Sequence, residues 1–404
     1  MGLLFRSAGE SHGKGCLALL EGLPRGCPYD PDFVARQLAR RQRGYGRGGR
    51  QKIEKDQAEV LAGLKGGFLL GSPLALWVGN RDSRLEEMPE LSRPRPGHAD
   101  LAGCFRFGDR DIRANLERAS ARETVARVAA GAVAQVFLRE LGVGVLGRVV
   151  GIGDRDVKEE EESPRTLKDL ELWRERVESS PFGAALEGGS CASMETEWKH
   201  LVDEARKAGD SLGGRIEVIA VGVPPGIGSF AQWDERLDGR LAAALMSIPA
   251  IKGVEVGLGF EASRRRGSAV HDSILPGSQG SGAVPQRETN RAGGLEGGVA
   301  NGEPIVLRLA KKPIATLKRG LPSVDLETGE KAISAFERSD ICAVPAAAVI
   351  AEAMVALVLA DACLHFLGEG SFSVLHERLQ GHRERLRGLF AQPKPGNRSP
   401  KESP

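Results

Sequence analysis

Two histidines sit where proton chemistry is easily arranged. His12 lies in Gly9-Glu10-Ser11-His12-Gly13 and His98 in Arg95-Pro96-Gly97-His98-Ala99-Asp100, each in a glycine-flanked loop beside a hydroxyl or carboxyl side chain. An imidazole titrates near pH 6.5, so it can give a proton to a departing phosphate or steady an anionic ring. Most lone histidines are simply exposed or hydrogen-bonded, and this pair gains meaning only from its neighbours. His200, His271, His365, His376 and His382 lack comparable settings.

Those neighbours are cationic. Arg36 to Lys52 carries six arginines and one lysine among glycines, which concentrates charge on a backbone able to approach an anion closely. By itself the stretch suits phosphate, carboxylate or RNA. Arg40 and Arg41 end a helix-like run, while Arg47 and Arg50 are spaced by glycine, as in a folded loop. Ser120-Ala121-Arg122-Glu123 has the spacing of a capping box at the head of an alanine-rich helix. A helix start there, with Arg118 and Arg122 close by, offers donors to a phosphate or is just a helix start. Arg338-Ser339-Asp340 puts a cation and a carboxylate in one turn, which a plain surface ion pair would also explain. Asn290 to Gly298 is dense in glycine, and Lys311-Lys312-Pro313-Ile314-Ala315-Thr316 adds a cationic turn.

Mixed secondary structure must position these groups. Branched residues predict strands over Leu17–Leu20, Val143–Val150, Arg215–Val223 and Pro304–Leu309. Helical spacing covers Pro31–Arg41, Glu123–Leu141, Glu195–Ala208, Arg236–Met246 and Pro345–Leu367. Strands are not regularly followed by helices, which favours an α+β fold over a doubly wound sheet. The small residues of Glu123–Leu141 mark a tightly packed core helix. The acidic stretch Asp154–Glu162 reads as peripheral, and Gln392–Pro404 as a disordered polar tail.

Composition narrows the function. With 56 basic and 54 acidic side chains the net charge is only +2, so bulk charge does not argue for nucleic acid or membrane, and any anion site is local. The six cysteines show no CxxC pair and no histidine cluster, which argues against a metal site and for reduced thiols. No uninterrupted apolar run reaches about 18 residues. Pro345–Leu367 comes nearest and is broken by Glu352 and Asp361. A cytoplasmic globular protein is expected, with one domain over residues 1–390 and the polar tail over 391–404.

Six blocks together resemble the chorismate synthase family, in order and from Arg6 to about Leu367: Gly9–Gly13, Arg95–Asp100, Ser120–Thr124, Ala244–Gly253, Asn290–Gly298 and Arg338–Asp340. The resemblance implies a single-domain β-α-β sandwich with internal pseudo-symmetry and a homotetramer. The implied activity is a carbon–oxygen lyase of the shikimate pathway and aromatic amino acid biosynthesis. It eliminates phosphate from 5-enolpyruvylshikimate 3-phosphate in a 1,4-elimination that gives chorismate, with reduced FMN (FMNH2) as transient electron donor. By the same resemblance His12 protonates the departing phosphate, His98 stabilises the anionic flavin, and Asp340, relayed through Ser11, manages a flavin proton. Arg41, Arg47, Arg122 and Arg338 would hold the substrate. Arg118, Ala119, Ser120, Pro249, Ala250, Gly297, Lys312, Pro313, Ile314, Ala315, Thr316 and Arg338 would contact the flavin. Cys16 and Pro249 depart from the usual aliphatic residue and asparagine; a backbone contact is all that Pro249 leaves. A bifunctional form that also reduces its flavin with NADPH is the alternative, disfavoured because the GxGxxG spacings at Gly44–Gly49 and Gly142–Gly147 each follow a helix-like run and neither leads from a strand into a helix, as a dinucleotide fingerprint must. An RNA-binding module on Arg36–Lys52 is the other, disfavoured because Tyr45 is its sole aromatic residue.

Overall fold

The chain starts as a hairpin. β1 (Leu4–Ala8) pairs antiparallel with β2 (Gly15–Glu21), the register running from Leu4 opposite Glu21 to Ala8 opposite Leu17. Residues 9–14 are therefore the hairpin loop, and they carry Ser11 and His12. α1 (Pro31–Gln42) follows, capped by the Asp30 carboxylate and closing with Arg40 and Arg41 in its last turn. β3 (Glu59–Ala62) and β4 (Leu74–Gly79) complete an antiparallel sheet of order β1-β2-β4-β3. The structure is a computed structural model describing residues 2–49, 53–157, 163–185, 188–277, 284–337 and 339–390, without the side chains of 188–192. Arg50, Lys52, Arg338, the end of the acidic stretch and the tail 391–404 lie outside the described residues.

Two short helices, α2 (Asp100–Phe107) and α3 (Arg113–Ala119), lead through a 3-10 turn at Ala121–Glu123 into α4 (Thr124–Glu140). The expected capping box does not form. Ser120 Oγ accepts from Arg122 N, and the Glu123 carboxylate pairs instead with Arg127 one turn on. The tighter turn starts three residues early, so the α-helix begins at Thr124.

The second half repeats the plan. β5 (Gly144–Ile152), β6 (Arg155–Asp156), α5 (Leu167–Ser179) and α6 (Gly188–Lys207) precede β7 (Gly214–Val221), and α7 (Leu237–Met246), β8 (Ile251–Val256), β9 (Ile305–Lys311) and α8 (Val344–Leu367) follow. α9 (Phe372–Phe390) closes the described chain. The sheet order is β8-β9-β7-β5-β6. Without β6, β5-β7-β9-β8 matches β1-β2-β4-β3 strand for strand, and α7 and α8 stand where α1 and α4 stand. This is the internal pseudo-symmetry.

Between the sheets lies the helical layer. α4 packs on β2 and β4, α8 on β5 and β7, and the two helices pack on each other. Both are buried nearly all round, as central helices must be. Their approach depends on small residues: a Cβ on Gly131 would stand 2.4 Å from Ala353 Cβ. α8 is the one helix among the described residues long and apolar enough to cross a membrane, but it is buried inside the protein. Its Glu352 accepts from Gln37 Nε2 at 2.8 Å, Arg40 Nη1 at 3.1 Å, Arg174 Nη1 at 3.2 Å and Gly147 N at 2.9 Å. Burial alone would raise this carboxyl; the two guanidinium groups outweigh it and hold the carboxyl below its usual range.

Candidate active site

A cavity of about 930 Å³ opens where the two halves meet. The β1–β2 loop brings Ser11 and His12 to it, the end of α1 and the loop after it bring Arg41 and Arg47, and the loop before α2 brings His98. Arg118, Ala119, Ser120 and Arg122 arrive from the α3–α4 junction. The second half adds Pro249 and Ala250, the turn with Lys312, Ile314, Ala315 and Thr316, and Asp340 just before α8. Two expected contacts are elsewhere. Pro313 does not line the cavity, and Gly297 lies in the turn of the Leu295–Glu296/Val299–Ala300 ribbon, where its carbonyl accepts from Arg236 Nη1. Arg338 lies outside the described residues.

His12 is held from behind by a buried acid. Its Nδ1 lies 3.0 Å from each Glu117 oxygen, and its backbone N donates to Glu117 Oε2 at 2.8 Å. Burial would raise the Glu117 carboxyl, yet the His12 hydrogen bonds and the Arg113 charge bring it below its ordinary value. His12 Nε2 is left 3.8 Å from Asp82 Oδ2. Asn80 Nδ2 pins the loop by donating to the carbonyls of Glu10, Ser11 and Gly13. Gly9 adopts φ +118°, and a Cβ there would collide with the Gly15 carbonyl 2.2 Å away. Ser11 Oγ accepts from Ser120 Oγ at 3.1 Å, which ties this loop to the α4 junction.

His98 repeats the arrangement. Its Nδ1 meets Asp100 Oδ1 at 2.5 Å, and Arg95 brackets the same carboxylate through Nε at 2.8 Å and Nη2 at 3.0 Å. Asp100 is fully buried; burial would raise it, but His98 and Arg95 push it well below the carboxylate range. Arg95 Nη1 reaches Thr316 Oγ1 at 2.7 Å, and Lys312 Nζ donates to the Gly97 carbonyl. The Lys312–Thr316 turn and the His98 loop are thus one unit.

The guanidinium groups divide by occupation. Arg41 donates to Thr124 Oγ1, Asp56 Oδ2 and the Ala121 carbonyl, and burial lowers it to about 10. Arg122 donates to Asn80 Oδ1 at 2.7 Å and Asp56 Oδ1 at 2.6 Å. Asp56 therefore clamps both. Arg47 is less committed: Nη1 pairs with Asp340 Oδ2 at 2.9 Å, but Nε is buried with no partner among the described residues. Asp340 Oδ1 accepts from Gly48 N at 2.6 Å. Ala250 has φ +70°, the one positive φ outside glycine among the described residues, and such strain concentrates at ligand sites.

Sequence reasoning missed Glu117, Asp56, Asn80 and Arg95. The first three act on partners 105, 66 and 42 residues away, so no local spacing announces them. Arg95 and Asp100 do stand in the His98 block, and the spacing of opposite charges around a histidine was a usable sign.

Among the described residues no group of three or more His, Cys, Asp or Glu side chains could hold a metal ion. What the cavity offers is two carboxylate-backed imidazoles, one further carboxylate and several guanidinium groups around a volume that fits a ring-sized cofactor and a small ester. Such a set can bind a polyanion and move protons on two sides of it.

Known proteins point the same way. The family model "Chorismate synthase" matches residues 3–364. Chorismate synthase of Aquifex aeolicus (strain VF5) is 50% identical over 394 residues, covering 94% of this chain and 97% of that protein. The Moorella thermoacetica enzyme of the same name is 51% identical over 398 residues, 96% of this chain and all of that one. A crystal structure of chorismate synthase superposes with a TM-score of 0.78 at 41% identity, over 96% of this chain and 99% of its own. The chain belongs to the chorismate synthase family.

Proposed function

We propose that the protein is a carbon–oxygen lyase that converts 5-enolpyruvylshikimate 3-phosphate to chorismate and inorganic phosphate. The observation that carries this reading is that His12, His98, Asp340, Arg41, Arg47 and Arg122, far apart in the chain, line one cavity. The lining also fits reduced FMN: the unpartnered Arg47 Nε and the neighbouring guanidinium groups suit a phosphate, and backbone at Ala250 with the Lys312–Thr316 turn offers a wall for a ring. When bound, that cofactor supplies the transient electron density that makes loss of phosphate feasible from a ring whose hydrogen is not acidic.

The protein's own part is to bind, orient and move protons. Arg41, Arg47 and Arg122 hold the ester's anionic groups, with Asp56 keeping Arg41 and Arg122 in place. His12, steadied by Glu117, gives a proton to the departing phosphate. His98, steadied by Asp100 and Arg95, faces the negative charge of the cofactor. Asp340 holds a proton position opposite. Arg338 is assigned to the same anions from its place in the Arg338–Asp340 block. Oligomeric state follows the family reading as a homotetramer, and location as cytoplasmic, with no nucleic acid or membrane partner.

The test is a titration of oxidised FMN with and without the phosphoester. Far tighter FMN binding in the presence of the ester supports the reading, because each ligand completes the other's wall; equal affinity in both counts against it. NADPH added alone should leave the flavin oxidised, as expected of a monofunctional enzyme without its own nicotinamide site.

A further inference from the structure

Lys311 is the last residue of β9 and breaks the repeat between the two halves. In the first sheet the closing rung of the central pair is Gly15 opposite Gly79; in the second it is Gly214 opposite Lys311. A lysine thus stands where the fold's own other half has glycine. Its side chain is buried on the cavity wall, next to the cationic turn but with a different neighbourhood from Lys312. Burial draws the ammonium down to about 8.

The Lys311 side chain is buried along its length while it lines the cavity, and no anion among the described residues pairs with its ammonium. Asp340 is the acid whose charge it feels, but both Asp340 oxygens are taken, one by Arg47 and one by Gly48 N. The Cys342 thiol beside it is pushed up by burial and stays neutral. No hydrogen bond or ion pair holds Lys311 Nζ among the described residues. Arg47 Nε, on the same wall, is likewise buried and unpartnered. Two cationic side chains on one wall, one with a buried orphan donor and one whose ammonium has no partner among the described residues, are best satisfied by a ligand anion.

We propose that Lys311 is a binding residue, acting beside Arg47, for a phosphate or carboxylate group of the small molecules that fill the cavity. The proposal rests on the functional reading above, whose two ligands both carry such groups. It makes the amine a contact of the ligand and not a support of the fold, so its removal leaves folding intact.

The experiment compares wild type, Lys311→Met and Lys311→Arg by calorimetric titration with oxidised FMN and, separately, with the phosphoester in the presence of FMN. Lys311→Met should weaken one of the two by about 10- to 100-fold, the usual effect of losing a charged hydrogen bond, and Lys311→Arg should recover most of it. A loss confined to FMN assigns the flavin phosphate; a loss confined to the ester assigns the substrate. As a check independent of that variant's folding, the ¹³C-dimethyl signal of reductively methylated Lys311 in wild type should shift when the affected ligand is added. Unchanged affinities in Lys311→Met alongside normal wild-type binding overturn the proposal and leave the functional reading standing. A wild-type protein that binds neither ligand removes the functional reading and the proposal together.

Discussion

His12 Nδ1 lies 3.0 Å from both carboxylate oxygens of Glu117, a residue 105 positions further along the chain. A buried carboxylate behind an imidazole fixes the ring, so Glu117 is a positioning residue for His12. Glu117→Gln should lower kcat by roughly 10- to 100-fold with little change in KM. Steady-state kinetics checks this, and a KM effect without a kcat effect would assign Glu117 to binding instead.

Asp100 ties acid stability to the His98 loop. Its carboxyl is depressed in the folded protein, so its contribution is fully present above the unfolded value of about 3.9 and is lost as pH falls through the lower folded value. Asp100→Asn should cost on the order of 3 kcal/mol at pH 7, because Arg95 and His98 lose their buried partner. Its stability should also fall less steeply than the wild type's below about pH 4. Denaturant unfolding at pH 7 and between pH 2 and 5 measures both, and parallel acid limbs would contradict the assignment.

The contact between α4 and α8 gives a prediction whose sign is the test. Helix propensity favours Gly131→Ala by about 1 kcal/mol. The new methyl, however, would stand 2.4 Å from Ala353 Cβ and 2.5 Å from Ala353 Cα, on a neighbouring helix that cannot yield cheaply. A net loss of about 1–3 kcal/mol is expected in thermal unfolding. A gain would mean that the helices are further apart than described.

Much of this architecture can be read along the chain. The apolar runs of β2, β5, β7 and β9 and the long helices α1, α4, α7 and α8 announce themselves because each is buried on one face or all round. β1, β3, β4, β8, α2, α3 and α5 do not. β1 alternates exposed and half-buried residues and β3 is exposed but for Val60, while α2 and α3 run only eight and seven residues, too short for a period to emerge. The capping-box spacing at Ser120 misled because Arg122 is drawn to Asn80 and Asp56 and Glu123 pairs with Arg127 one turn on, and the turn takes 3-10 geometry. In the site itself, residues that face the cavity stand in recognisable blocks. Glu117 and Asp56, which hold them in place, are set by folding alone.

The most direct measurement of the central claim is phosphate release from 5-enolpyruvylshikimate 3-phosphate by the anaerobic protein with reduced FMN. The account predicts phosphate and chorismate in equal amounts, over many turnovers, and none when the flavin is left out. Absence of both products with correctly folded protein and reduced flavin present would contradict it.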